Sequence, residues 1–143
     1  MASAKSSIRI GAHVPTSGGM ATRSIEYALT IKAEAIQVFA SSPRTWATST
    51  PNPAMDDAFK GKTKEHDIKP YVHASFLINL GSPTLSTYEN SLAATAYSLK
   101  RGREIGAHGV VVHTGSAVDE THVDQAWKQI HEGVMPILDN LTD

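Results

Sequence analysis

Four short apolar runs, each followed by a segment with helical spacing, constrain this chain more than any other feature. The runs are IRIGAHV at 8–14, AIQVF at 35–39, KPYVHA at 69–74 and GVVVH at 109–113. Helices are predicted over 20–32, 54–66, 84–106 and 121–139. The runs do not alternate apolar with polar residues, a pattern that suits strands buried on both faces, so the repeated strand–helix order predicts an α/β fold with a parallel sheet covered by helices. GVVVH is the clearest strand, since three consecutive valines suit burial on both sides. Two architectures satisfy this order: an open doubly wound sheet, or part of a closed barrel of alternating strands and helices. No GxGxxG follows the first run, so the first βα turn lends no support to a dinucleotide-binding fold.

Local punctuation agrees with this parsing. In PTSGG, Thr16 or Ser17 is placed to cap the first helix. Ala and Leu recur at helical spacing along 84–106, and Gly106 is placed to stop that helix. Three prolines with Ser, Thr and Asn make 40–53 a long irregular loop, and long loops in compact domains are commonly functional.

Composition narrows the function classes. The 143 residues are 41% hydrophobic and 19% charged, a globular balance, and the net charge of -1 supplies no global field for nucleic acid or a membrane surface. Any polyanion contact must be local. The absence of cysteine excludes disulfides, thiolate metal sites and a Cys nucleophile, leaving seven histidines as the soft ligands. The N-terminal residues lack the apolar core of a secretory signal, and no run approaches the ~20 apolar residues of a membrane span, so a cytoplasmic protein is expected.

Three histidines sit at or beside the C-terminal ends of the predicted strands, the edge where parallel sheets gather ligands: His13, His73 and His113. One such histidine reads as a hydrogen-bonded core imidazole, whereas three together bring a metal or acid–base role level with that reading. Asp56 and Asp57, and likewise Asp119 and Glu120, read as first-turn residues that cap helices or compensate their dipoles. His66, His108, His122 and His131 fall in helices or at their ends and read as surface residues. No Ser–His–acid arrangement is recognisable, and GSAV lacks the glycines of a nucleophile elbow, which argues against a serine hydrolase. In SSPRTWA, Arg44 and Trp46 suit a phosphate contact with base stacking, the opposing reading being a solvated Arg44 and a Trp46 packed under its loop. In SFLINL most apolar side chains read as core, with room for one exposed aromatic to act as a wedge in a groove.

The motifs IGAHVPTSGG, AIQVFASSPRTW, YVHASFLINLGSP and GVVVHTGS, in this order at successive strand ends, are similar to the N-terminal half of endonuclease IV, the zinc-dependent apurinic/apyrimidinic endonucleases of the xylose-isomerase-like TIM-barrel superfamily. The match runs nearly from end to end. The resemblance implies the first four units of a (β/α)8 barrel, with 1–143 as an incomplete domain. It also implies a DNA-repair hydrolase acting on duplex DNA at abasic sites, in which metal-bound hydroxide attacks the phosphorus 5′ to the abasic sugar and leaves a 3′-hydroxyl. Three zinc ions and a monomeric complete barrel are expected of the family. By position, His73 and His113 match zinc ligands and Arg44 matches a residue on a loop that enters the DNA. Phe76 stands where the best-known members have a DNA-inserting tyrosine, which keeps the ring and loses the hydroxyl. His13 matches a first-strand histidine that is not counted as a ligand.

The family's remaining ligands, among them a bridging glutamate on the fifth strand, lie beyond Asp143, so the chain reads as a truncated homologue. Two other readings stand beside it: a sugar isomerase or epimerase of the same superfamily, which has no need of the Arg44 loop, and a non-catalytic half-barrel. Open strand edges pair with other chains. The 143-residue polypeptide by itself is therefore expected to be oligomeric, molten or aggregation-prone and not to nick abasic DNA. Light scattering of the purified chain, with a nicking assay, checks this; a cooperatively folded monomer with turnover would contradict it.

Overall fold

The computed structural model describes residues 8–141, in which four strands pair in parallel in chain order: β1 Gly11–His13, β2 Ala35–Phe39, β3 Lys69–His73 and β4 Val110–Val111. A π-helical stretch, Gly19–Ser24, runs into α1, Ile25–Thr30, and is followed along the chain by α2 Pro53–Glu65 and α3 Leu85–Glu104. A 3-10 turn, Glu120–His122, leads into α4, Val123–Asp139. The predicted α/β order of four strand–helix units is the observed one. No helix among the described residues is long and apolar enough to cross a membrane.

The burial of the strands departs from the expectation of two covered faces. Along β2 and β3 burial alternates, with Ile36, Val38, Pro70 and Val72 buried and their neighbours more open. Residues opposite one another in a parallel ladder share a face, and successive residues point to opposite faces. Ile36 pairs with Pro70, Val38 with Val72, and Val72 in turn with Val110, so this row meets the helices. There it packs with Ile25 and Ala28 of α1, Phe59 of α2 and Ile105 at the end of α3. A second cluster joins Ala74, Ile78 and Leu80 to Leu92, Ile130 and Val134. The helices cover one face, and the other row is open. Val111, the middle valine of GVVVH, is exposed for that reason.

The edge strands are shorter than predicted, because each has a single neighbour. β1 begins at Gly11 rather than at residue 8, and Ile10 is 75% exposed. β4 is limited to two residues.

Two local expectations are also corrected. Neither Thr16 nor Ser17 caps the first helix; Gly18, at φ 92°, precedes the π-helical stretch with no side-chain cap, and Gly19 follows at φ 97°. Both angles lie in the left-handed region that glycine enters without steric cost. In α3 the buried positions include Ser91, Thr95, Ser98 and Gly102 rather than the Ala and Leu set. Small side chains let the helix approach the sheet closely, and each hydroxyl is satisfied by a carbonyl one turn earlier: Ser91 by Thr87 at 2.6 Å, Thr95 by Ser91 at 2.8 Å and Ser98 by Ala94 at 2.8 Å.

Asp56 has a further role that its place in the first turn of α2 does not reveal. Its carboxylate accepts two hydrogen bonds of 2.8 Å from the buried Arg101 guanidinium, which also bonds Glu104. Arg101 holds the Asp56 carboxyl below the usual carboxylate range against the opposing effect of burial. A lowered folded-state pKa contributes stability above the unfolded value of about 4, lost as pH falls through the folded one. Asp56→Ala, which leaves Arg101 without its bidentate partner, is expected to cost about 3–5 kcal/mol in urea unfolding of the complete barrel at neutral pH. Part of the stability loss below pH ~4 should be missing from Asp56→Asn.

Candidate functional site

The open row of the sheet carries two of the three strand-end histidines, His13 and His73. Register aligns His13 with Gln37 and Tyr71, and Phe39 with His73 and Val111, all on the face away from the helices. His113 lies two residues beyond β4, and its ring reaches that of His73, with centroids 5.1 Å apart. The Nε2 atoms of His73 and His113 stand 3.2 Å apart. His73 Nδ1 donates to the Ala74 carbonyl at 2.7 Å, so in a neutral ring the Nε2 lone pair is free for a proton or a cation. Two ligands ~2.0–2.1 Å from one tetrahedral zinc ion stand about 3.3 Å from each other. The observed spacing is therefore that of a chelating pair, and equally of a hydrogen bond in which His113 Nε2–H donates.

The pair fits a zinc ion in donor type, tautomer and spacing, and supplies two of the four ligands such a site takes. Among the described residues no group of three or more His, Cys, Asp or Glu is placed to hold a metal. His13 is oriented separately: Gln37 Oε1 accepts from its Nδ1 at 3.2 Å, and its centroid is 6.4 Å from that of His73.

Phe76 joins this cluster. The residue is 57% exposed, yet its ring stands edge-on to His73 at 5.4 Å and to Phe39 at 5.1 Å. In the same segment Ile78 and Leu80 are buried whereas Leu77, like Phe76, is exposed, so two of the four apolar residues of SFLINL are core rather than most, and one exposed aromatic stands among them. Arg44 is exposed on the loop between β2 and α2, which contains neither strand nor helix. The preceding residue ties that loop to the cluster, for the Pro43 carbonyl accepts from Phe76 N and from Ser75 Oγ, each at 3.0 Å. Trp46 is partly exposed, so it is not sealed beneath the loop.

The loop after His113 is fastened in the same manner. The Asn79 side-chain carbonyl accepts from Gly81 N at 3.1 Å and from Ser116 N at 2.9 Å. Gly115, at φ 87°, permits this approach, since a Cβ there would lie 2.1 Å from the Asn79 oxygen. Beyond the cluster, Asp119 is the cap it was expected to be: Thr121 N and Oγ1 both donate to it, and the Thr121 hydroxyl draws its carboxyl below the usual range. His66, His108 and His131 are exposed, whereas His122 is half-buried with Nε2 unpaired among the described residues, contrary to its surface reading.

Sequence reasoning missed Gln37, Phe39 and Asn79. The first two alternate with Ile36 and Val38 along β2, and a period-2 reading of AIQVF would have put them on the histidine face. Nothing local marks Asn79, whose partner Ser116 is 37 residues away.

Comparison with known proteins agrees with this architecture. Residues 25–143 match the family model described as xylose isomerase-like TIM barrel. The chain is 48% identical over 133 residues to a probable endonuclease 4 of Streptomyces coelicolor, covering 93% of this chain and 45% of that protein. Among solved structures, endonuclease IV from Thermus thermophilus superposes with a TM-score of 0.72 at 31% identity, over 86% of this chain and 46% of the other. A D-tagatose 3-epimerase-like protein shares the fold with a TM-score of 0.63 at 15% identity, over 91% of this chain and 48% of the other. The chain thus spans about half the length of the relatives it matches. It belongs to the xylose isomerase-like TIM-barrel family and is similar over most of its own length to endonuclease IV.

Proposed function

We propose that residues 1–143 correspond to the N-terminal half of a barrel domain and supply part of the catalytic face of an abasic-site endonuclease of the endonuclease IV type, a phosphodiester hydrolase that cuts duplex DNA 5′ to the lesion. The observation that carries this reading is the 3.2 Å approach of His73 and His113 at the ends of adjacent parallel strands. In it, His73 and His113 hold one ion of a three-zinc cluster whose other ligands come from outside these residues. Zinc bound there would lower the pKa of a coordinated water and neutralise charge on phosphate oxygens. This chain's own contribution is geometric: Ala74 selects the His73 tautomer, and the Pro43 carbonyl joins the Arg44 loop to the segment bearing Phe76.

Arg44 contacts a phosphate near the lesion, and Phe76 stacks in the space left by the missing base. On a chain of net charge -1 such a contact must be local, and an exposed arginine beside an exposed aromatic provides it. The setting is the cytoplasm. A sugar isomerase or epimerase would share the fold, but a small sugar leaves the exposed Arg44 loop without a use. The 143-residue chain alone is inactive in this reading, because two ligands do not define a tetrahedral site.

Removing either ligand should remove the ion. His73→Ala or His113→Ala is expected to lower bound zinc, measured by atomic absorption, and to reduce incision of abasic duplex by orders of magnitude in the complete barrel. Unchanged zinc content in both variants would refute the ligand assignment.

Arg44→Ala should act on DNA alone. In the complete barrel it is expected to weaken binding of abasic duplex by ~1–3 kcal/mol, the scale of a hydrogen bond to a charged group, with zinc content preserved. Equal affinities at one fixed salt concentration would remove the loop from the DNA interface.

A further inference from the structure

We propose that Phe39 is a positioning residue, whose ring holds the imidazole of His73 and the exposed ring of Phe76 in one fixed arrangement; this rests on the reading of His73 as a metal ligand. β2–β3 register sets Phe39 directly opposite His73 on the open face. The three rings close a triangle with nearly equal sides: Phe39 to His73 5.3 Å, Phe39 to Phe76 5.1 Å and His73 to Phe76 5.4 Å. The ring planes cross at 67°, 80° and 68°, the edge-to-face disposition that aromatic quadrupoles favour. His13 backs the triangle at 4.5 Å from Phe39, and its own ring is anchored by Gln37. Phe39 is thus braced from the side away from the metal pair.

Such a brace answers what the hydrogen bonds leave undetermined. The bond from Nδ1 to Ala74 selects the His73 tautomer but pins only one edge of the imidazole. Phe76 is tied through its backbone N to Pro43, which leaves its side chain free to turn. Flanking rings restrict both side chains, and Phe39 is common to the two. Residues that share a packing partner couple, so the pose of the metal ligand and that of the DNA-facing aromatic become one variable.

The test is a titration of Zn2+ into the metal-free complete barrel, followed through the imidazole NMR signals of His73 and His113. Phe39→Leu is expected to weaken Zn2+ binding about tenfold, as loss of support behind a metal ligand does. Phe39→Tyr, which keeps the ring, should bind as the parent does. Phe76→Leu, a change at an exposed side chain that folding tolerates, should also weaken binding, and decides the matter if Phe39→Leu does not fold. Val38→Ala, a core change on the opposite face, should lower thermal stability without changing Zn2+ affinity. If His73→Ala binds Zn2+ like the parent, the ligand reading itself fails and the proposal with it. If His73→Ala abolishes binding while Phe39→Leu and Phe76→Leu bind normally, the ligand stands and the role of Phe39 is overturned. A loss in Val38→Ala equal to that in Phe39→Leu overturns it as well.

Discussion

In a parallel ladder each residue shares its face with the residue opposite and points away from both chain neighbours, so one register decides the surroundings of every side chain on the sheet. Here Phe39 lies opposite His73 and Val38 opposite Val72. The valines go to the helices and close the core. Phe39 and His73 go to the open face and meet His113, Phe76 and His13. A slip of one residue in β3 would exchange the two sets, burying an imidazole among Ile36, Val38 and Phe59. The core and the candidate site are therefore alternate halves of the same strands, and the packing energy of the first secures the geometry of the second.

The loops depend on that scaffold for their order. Three consecutive connections at the C-terminal edge of the sheet are joined by polar contacts: Pro43 links the β2 loop to the β3 loop, and Asn79 links the β3 loop to the one after β4. On the helix side, Tyr97 of α3 holds the far end of the β2 loop through Ser49, accepting from its N at 3.1 Å and donating to its carbonyl at 2.8 Å. The Asp56–Arg101 pair fixes α2 against α3 beneath the same loop. Arg44 and Phe76 thus project from segments tethered on both sides while both residues remain exposed.

Likeness of fold and likeness of chemistry separate in this family. Endonuclease IV and an epimerase-like protein both superpose on the chain, because the βα scaffold is common to them. What distinguishes them must lie in side chains at the strand ends and in the loops. The paired imidazoles are compatible with either chemistry, and the exposed Arg44 loop and Phe76 are features that the shared scaffold does not prescribe.

The number and order of the strands, the existence of all four helices and the placement of His73 and His113 at strand ends are legible in the sequence, because each depends on local pattern: apolar runs, helical spacing, glycine and proline breaks. AIQVF forms a strand at the bounds its pattern suggests, and KPYVHA does so short of its final alanine. Which faces are covered is not legible. Three adjacent valines carry no mark of the open side on which Val111 lies, since coverage depends on elements distant in the chain. The same limit hides the partnership of Asp56 with Arg101, 45 residues apart, and the central place of Phe39 against the rings of His13, His73 and Phe76. Sequence by itself determined which elements form and which chemical groups stand at their ends. Tertiary structure alone decided which of those groups touch, because a 3.2 Å contact between residues 40 positions apart is set by strand register and not by any pattern within either strand.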